Sequence, residues 1–323
     1  MSGKSSKKEN GNPGLADRLG YCAVKGATKA LSLLPLRMLY GASDVLAFLA
    51  HRVVRYRLKV VRSNLESSFP DMPKKELRRV ERKFYRFLGD YMMETVKLLS
   101  MSGAEMKRRL RVVNPEVVDR AMDRGRNVIL YLGHFCNWEW VSSLPVYFDE
   151  GRTCAQVYHR LHDHPMDRLF MEIRTRFGSN NIAMDEIMRR LIEWKREGTP
   201  TVTGLISDQA PHWEIHLFLD FLNHDTAVFT GPERISRFLD AEVYYCHMSR
   251  PRRGEYELRF DLITDRPKRE ETFAVTREYF RRLEENIKEQ PELWLWSHKR
   301  WKRTRADFMK KWGDKAEGML EHL

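Results

Sequence analysis

The sequence predicts an α/β fold in which a mixed central sheet is flanked by helices and preceded by a helical region. Three observations carry that prediction. The short apolar run Val128-Ile129-Leu130-Tyr131-Leu132 stops at Gly133 and reads as a buried strand. Beyond it, strand candidates at 201–207, 216–221, 243–248 and 256–262 are separated by helical patterns at 165–177, 185–196 and 232–239, an order that suits one mixed sheet. Ahead of it, residues 55–110 read as helices.

Taken from the N-terminus, residues 1–12 are polar and lysine-rich with little to bury, and read as a disordered leader. Residues 13–110 form the helical region. Within it the stretch 27–50 is apolar, but Lys29, Arg37 and Asp44 interrupt it. A membrane span needs about 20 mostly apolar residues and central charges on it are costly, so a helix lying in the interface fits better than one that crosses. Lys4, Lys7 and Lys8 precede it and Arg52, Arg55, Arg57 and Lys59 follow it, which favours a single cytoplasmic membrane face. A buried amphipathic helix of a soluble protein is the alternative. The next helix opens after Met72-Pro73 and sets Val80, Phe84, Phe87, Leu88 and Met92 on one face, with the lysines and arginines of 74–86 on the other.

Residues 111–310 carry the α/β domain and 311–323 a C-terminal tail. A last helix around 272–288 is followed by Pro291 and by Trp294, Trp296 and Trp301, which either sit at lipid headgroup level beside Lys299, Arg300 and Lys302 or close the core.

Lysine and arginine outnumber the acids by 57 to 45, a formal charge of +12 with pI near 9.5. Such a chain attracts something acidic: nucleic acid, anionic lipid, a phosphorylated substrate or an acidic carrier protein. No zinc finger or RNP-like aromatic motif supports the first of these. Cys22, Cys136, Cys154 and Cys246 form no CxxC pair, so they suggest neither a disulfide framework nor a zinc site and point to a reducing compartment.

The stretch most suited to chemistry is Gly133-His134-Phe135-Cys136-Asn137-Trp138-Glu139. A histidine leaves the end of a buried strand and a carboxylate follows five positions later. On a regular helix such a pair diverges by about 140°, so the two meet only if His134 sits at the strand-to-helix junction. Paired there, Glu139 fixes the imidazole tautomer and leaves the other ring nitrogen to take a proton from a hydroxyl. Cys136 between them reads as a small buried hydrophobe rather than an acyl-bearing thiol. Thr230 and Glu233 have capping-box spacing at the start of a helix.

The His-x4-acid arrangement of His134 and Glu139 resembles the signature of the lipid A late acyltransferases, the lauroyl and myristoyl transferases of the lysophospholipid-acyltransferase-like superfamily. Later blocks agree in order: Val157-Tyr158-His159-Arg160, then His164-Pro165 and Arg174; Ser207-Asp208-Gln209; Phe229-Thr230-Gly231; and Trp296-Ser297-His298-Lys299-Arg300-Trp301-Lys302. His159 separates the family's tyrosine from its arginine, and Ser207 replaces its proline. The resemblance implies a glycerolipid-acyltransferase-like fold and acyl transfer from an acyl carrier protein or coenzyme A thioester to a hydroxyl of a lipid A precursor. It implies no metal or bound cofactor, and a place on the cytoplasmic face of the bacterial inner membrane, peripheral or single-pass. By motif position Arg174 and Asp208 become substrate-binding candidates, Arg174 for phosphate or an oxyanion and Asp208 to orient it or the acceptor; a structural ion pair is the alternative. Anionic membrane and acidic carrier together give the positive charge a purpose and leave no need for nucleic acid. Another acceptor, such as an aminolipid, a glycerophospholipid or a mannosylated lipid, suits the same residues.

Overall fold

The computed structural model describes residues 15–161 and 163–320; the expected leader at 1–12 lies outside them. Helix α1 (Leu15–Leu33) ends before Pro35, whose ring cannot continue a helix, and α2 (Leu36–Phe48) leaves at 119° to it. A π-helical turn, Leu49–Val53, extends α2, and left-handed Arg55 and Arg57 reverse the chain into α3 (Leu58–Ser68). No single described helix is long and apolar enough to cross a membrane.

Helix α4 (Lys74–Lys97) buries Leu77, Val80, Phe84 and Phe87. Met92, expected on that face, is exposed, because at 100° per residue it has drifted about 80° from Phe84. Ser102 caps α5 (Gly103–Arg109) by accepting from the Glu105 amide, and strand β1 (Leu110–Val112) follows directly.

From there the elements run α6 (Glu116–Asp123), β2 (Val128–Leu132), a 3₁₀ stretch (Trp138–Tyr147), β3 (Thr153–Tyr158), α7 (His164–Thr175), β4 (Asn180–Ala183), α8 (Ile187–Arg196), β5 (Thr201–Ile206), β6 (Phe218–Phe221), β7 (His224–Ala227), α9 (Gly231–Leu239), β8 (Glu242–Arg252), β9 (Glu255–Thr264), α10 (Ala274–Glu289) and α11 (Arg305–Trp312). Seven strands form one mixed sheet in the order β1-β9-β8-β2-β5-β3-β4. All neighbours are parallel except β8 and β9. Fully buried β2 lies at its centre, as its unbroken apolar run requires.

One expectation needs correction and one alternative is decided. The strand foreseen at 216–221 shrinks to β6, which pairs only with β7 in a separate hairpin around Leu222 and Asn223, both left-handed. Of the two readings of the aromatic cluster, core closure is borne out: Trp294 and Trp296 are buried, and Trp301 bonds Thr226 through its indole N–H.

One apolar core runs from Leu36 on α2 to Trp296, so the helical arm and the sheet share their interior. Buried Asp90 on α4 pins that contact by pairing with Arg250 and Arg253 at the end of β8. The segment assigned to a C-terminal tail begins inside α11, whose Phe308 is buried and whose Trp312 donates its indole N–H to the Trp213 carbonyl, 3.0 Å.

Candidate active site

Parallel pairing of β2 with β5 sets Leu132 beside Ile206, so the loops leaving the two C-terminal strand ends meet. Gly133 makes the meeting possible: a Cβ there would stand 2.6 Å from Leu283 Cδ1 and 3.4 Å from Asp208 Oδ2. His134 then donates its backbone N–H to Asp208 Oδ2, 2.8 Å, while its Nδ1 lies 2.6 Å from Asp208 Oδ1. The Trp294 indole N–H donates to Oδ2 from the other side, 2.7 Å.

Asp208 is buried, which pushes its carboxyl up, but the His134 charge and the hydrogen bonds from His134 and Trp294 outweigh burial and hold it below the usual carboxylate range. An ionised carboxylate only accepts, so His134 Nδ1 carries a proton in either state of the ring, and in the neutral imidazole the lone pair lies on Nε2. Gln209 places its amide nitrogen 3.1 Å from that Nε2.

Glu139 does not orient His134. The chain turns through left-handed Cys136, enters the 3₁₀ run at Trp138 and swings Glu139 toward α7. There it takes Arg174 in a two-pronged pair, Nε to Oε2 at 2.8 Å and Nη2 to Oε1 at 2.6 Å, with the Tyr91 hydroxyl 3.3 Å away. Burial works against the Arg174 charge, and the Glu139 bonds and charge more than restore it. The expected partners are therefore exchanged: Asp208 holds the histidine, not Arg174, and Glu139 holds the arginine. The Cys136 thiol is fully buried and pushed well up by burial, as an inert packing residue would be.

His134, Glu139, Arg174 and Gln209 all line one cavity of about 1000 Å³. Leu130, Leu132, Val202, Gly204 and Ile206 from one face of the sheet supply its wall, with Ile235 and Phe238 of α9. His298 lines it too; its Nε2 accepts the Ala210 amide, 3.2 Å, and burial together with the Lys302 charge pushes it down to about 4.

Other candidates fall elsewhere. Arg160 is exposed and pairs with Asp185 and Glu186. Thr230 makes no side-chain cap, and Glu233 turns inward to accept the Phe273 and Thr276 amides at the start of α10. Gln209 and His298 stand within motifs the sequence shows, but no role for them was legible. Trp294 was legible only as part of an aromatic cluster. The shared offset of His134 and Asp208, each two residues past its strand, is the signal that pairs them.

The family model for bacterial lipid A biosynthesis acyltransferases matches residues 16–303. A lipid A biosynthesis acyltransferase of Haemophilus influenzae is 21% identical over 214 residues, 66% of this chain and 66% of that protein. The lipid A biosynthesis lauroyltransferase of Escherichia coli is 24% identical over 271 residues, 83% of this chain and 87% of that one.

Proposed function

The chain belongs to the bacterial lipid A biosynthesis acyltransferases, and from that membership we propose that it moves a fatty acyl chain from a carrier-protein or coenzyme A thioester to a hydroxyl of a lipid A precursor. One observation carries the reading: an imidazole fixed on Nδ1 by a buried carboxylate stands at the polar end of a cavity with an apolar wall. His134 Nε2 takes the acceptor proton as the hydroxyl oxygen attacks the thioester carbonyl. The tetrahedral adduct then expels the thiolate, which recovers that proton from the imidazolium. Asp208 stabilises the imidazolium in between. Glu139 claims Nε and Nη2 of Arg174 and leaves Nη1 for the developing oxyanion or a substrate phosphate. The acyl chain lies along Leu130, Val202 and Gly204. Both reacting groups come from the substrates, so no bound cofactor is called for.

Acyl transfer by purified protein, with a long-chain acyl carrier protein or acyl-CoA and a phosphorylated lipid A precursor, is read as a mass gain of one acyl chain. Asp208→Asn should lower kcat about 10³- to 10⁴-fold through the wrong tautomer. Glu139→Gln should cost less and leave the pH dependence in place. A larger loss from Glu139→Gln would return the orienting role to Glu139.

The partner surface we assign to this reaction is an anionic bilayer, the cytoplasmic face of the inner membrane. Outward on α2 stand Met38, Val45 and Phe48, each 58–60% exposed. Beside them α4 shows Lys75, Arg79, Arg82 and Arg86, at helical spacing and exposed, and Arg86 reaches Asp44 on α2, 3.2 Å. An apolar strip flanked by a basic one suits an interface with acidic headgroups. Phosphatidylglycerol vesicles should sediment the protein and phosphatidylcholine vesicles should not; Val45→Asp with Phe48→Asp should abolish it, and unchanged binding by that variant would rule this face out.

A further inference from the structure

Helix α4 supports the loop between His134 and Glu139 through two residues one turn apart. Tyr91 stacks on Trp138, ring centroids 4.2 Å apart, and Trp138 in turn packs edge-on against His134 at 5.2 Å. Glu94 is wholly buried and gathers three donors: Asn137 Nδ2 at 2.7 Å and the Tyr256 hydroxyl at 2.7 Å on Oε2, and the Tyr40 hydroxyl at 2.8 Å on Oε1. No lysine or arginine among the described residues hydrogen-bonds it, and burial pushes its carboxyl up.

A buried carboxyl without a bonded cation is a costly way to fill a core, where an apolar side chain of like volume does as well or better. Its use lies in what it holds. Asn137 is fully buried, sits between left-handed Cys136 and the start of the 3₁₀ run, and donates its amide to Glu94. The Asn137 side-chain oxygen Oδ1 has no partner among the described residues, so Glu94 is the side-chain anchor of the loop's middle.

We infer that Glu94 is a positioning residue: through Asn137 it fixes the turn that aims His134 at the cavity and starts the run that presents Glu139 to Arg174. This rests on His134 as the base of the proposed transfer. A displacement of the loop by a fraction of an ångström would spoil attack geometry without touching substrate binding.

The test is a double-mutant cycle on Glu94→Ala and Asn137→Ala, read in kcat, KM and the downfield proton resonance of the His134 Nδ1–H facing Asp208. Each single variant should lower kcat about 10- to 100-fold at unchanged KM and shift or broaden that resonance. The double variant should be no worse than the poorer single. Glu94→Gln, which keeps an acceptor for Asn137, should recover most of kcat, and Tyr256→Phe, which removes a different donor from the same oxygen, should leave kcat alone. Folded single variants with wild-type kcat and an unmoved resonance would overturn the inference. So would losses that follow the melting temperature and appear equally in Tyr256→Phe. If the wild type transfers no acyl chain, the proposed reaction fails, while the resonance still decides whether Glu94 positions His134.

Discussion

Two histidine–carboxylate pairs of nearly equal length stand in this protein, His51 with Glu81 in the helical arm at 2.7 Å and His134 with Asp208 at the C-terminal ends of the central strands at 2.6 Å. Both carboxylates are 2% exposed. Their other partners differ. Glu81 also holds Arg62 and Arg78, and His51 stacks flat on Tyr85 with centroids 4.7 Å apart, so the carboxylate charge is spent on permanent cations and the ring on packing. Asp208 spends its remaining bonds on the His134 backbone amide and on Trp294, and the imidazole keeps a nitrogen at a cavity. A short contact to a carboxylate therefore does not make a site. What makes one is a carboxylate reserved for the ring and a second nitrogen with somewhere to send a proton.

Replacing each histidine by alanine puts the largest strain on that contrast. His134→Ala should cut kcat on the order of 10³-fold with little change in melting temperature, since it removes the base from a partly open position. His51→Ala should do the reverse, lowering the melting temperature and leaving kcat within a few-fold. Equal kinetic losses would erase the distinction.

The carboxylates separate next, by pH. Burial pushes Glu81 up, but Arg62, His51 and Arg78 pull it down to about 2 from an ordinary 4.5. A carboxyl depressed in the folded state contributes stability that is complete above its unfolded value and is lost as pH falls through its folded one. Glu81→Gln should therefore cost on the order of 2 kcal/mol at pH 7, a figure discounted because Arg62 and Arg78 are partly solvated. The gap from wild type should close between pH 4.5 and about 2, followed by chemical denaturation. A gap that stayed constant with pH would mean that packing, not charge, holds the arm together.

The same contrast explains what was legible in the sequence. Central strand β2 is readable to the residue because both its faces are buried and nothing polar interrupts it. Strands β3 and β4 were missed: Gln156 breaks the apolar pattern of the first, and Asn180 and Asn181 make the second a short polar edge. His134 was legible from its place after that strand. Its partner was not, since spacing along the chain favoured Glu139 at five residues over Asp208 at seventy-four. Only the parallel register of β2 and β5 brings the second one close, and a single sequence does not print that register.

The smallest effect tests whether the Asp208 bonds matter one at a time. Trp294→Phe keeps a ring in the buried position but deletes the N–H on Asp208 Oδ2, while His134 still donates to that oxygen. The loss in kcat should be about tenfold or less, near the worth of one hydrogen bond to a charged group, with KM unchanged. Burial alone drives the Asp208 carboxyl upward, and Trp294 is one of the donors opposing it, so the variant carboxyl must rise. A more basic carboxylate holds the imidazolium more tightly, and the acid limb of kcat, which follows protonation of the base, should consequently move to higher pH. Trp301→Phe, whose indole serves Thr226 instead, should leave the limb where it is. If both variants shift it alike, the indole of Trp294 acts through packing of the aromatic cluster, and Asp208 would then be tuned by His134 and burial alone.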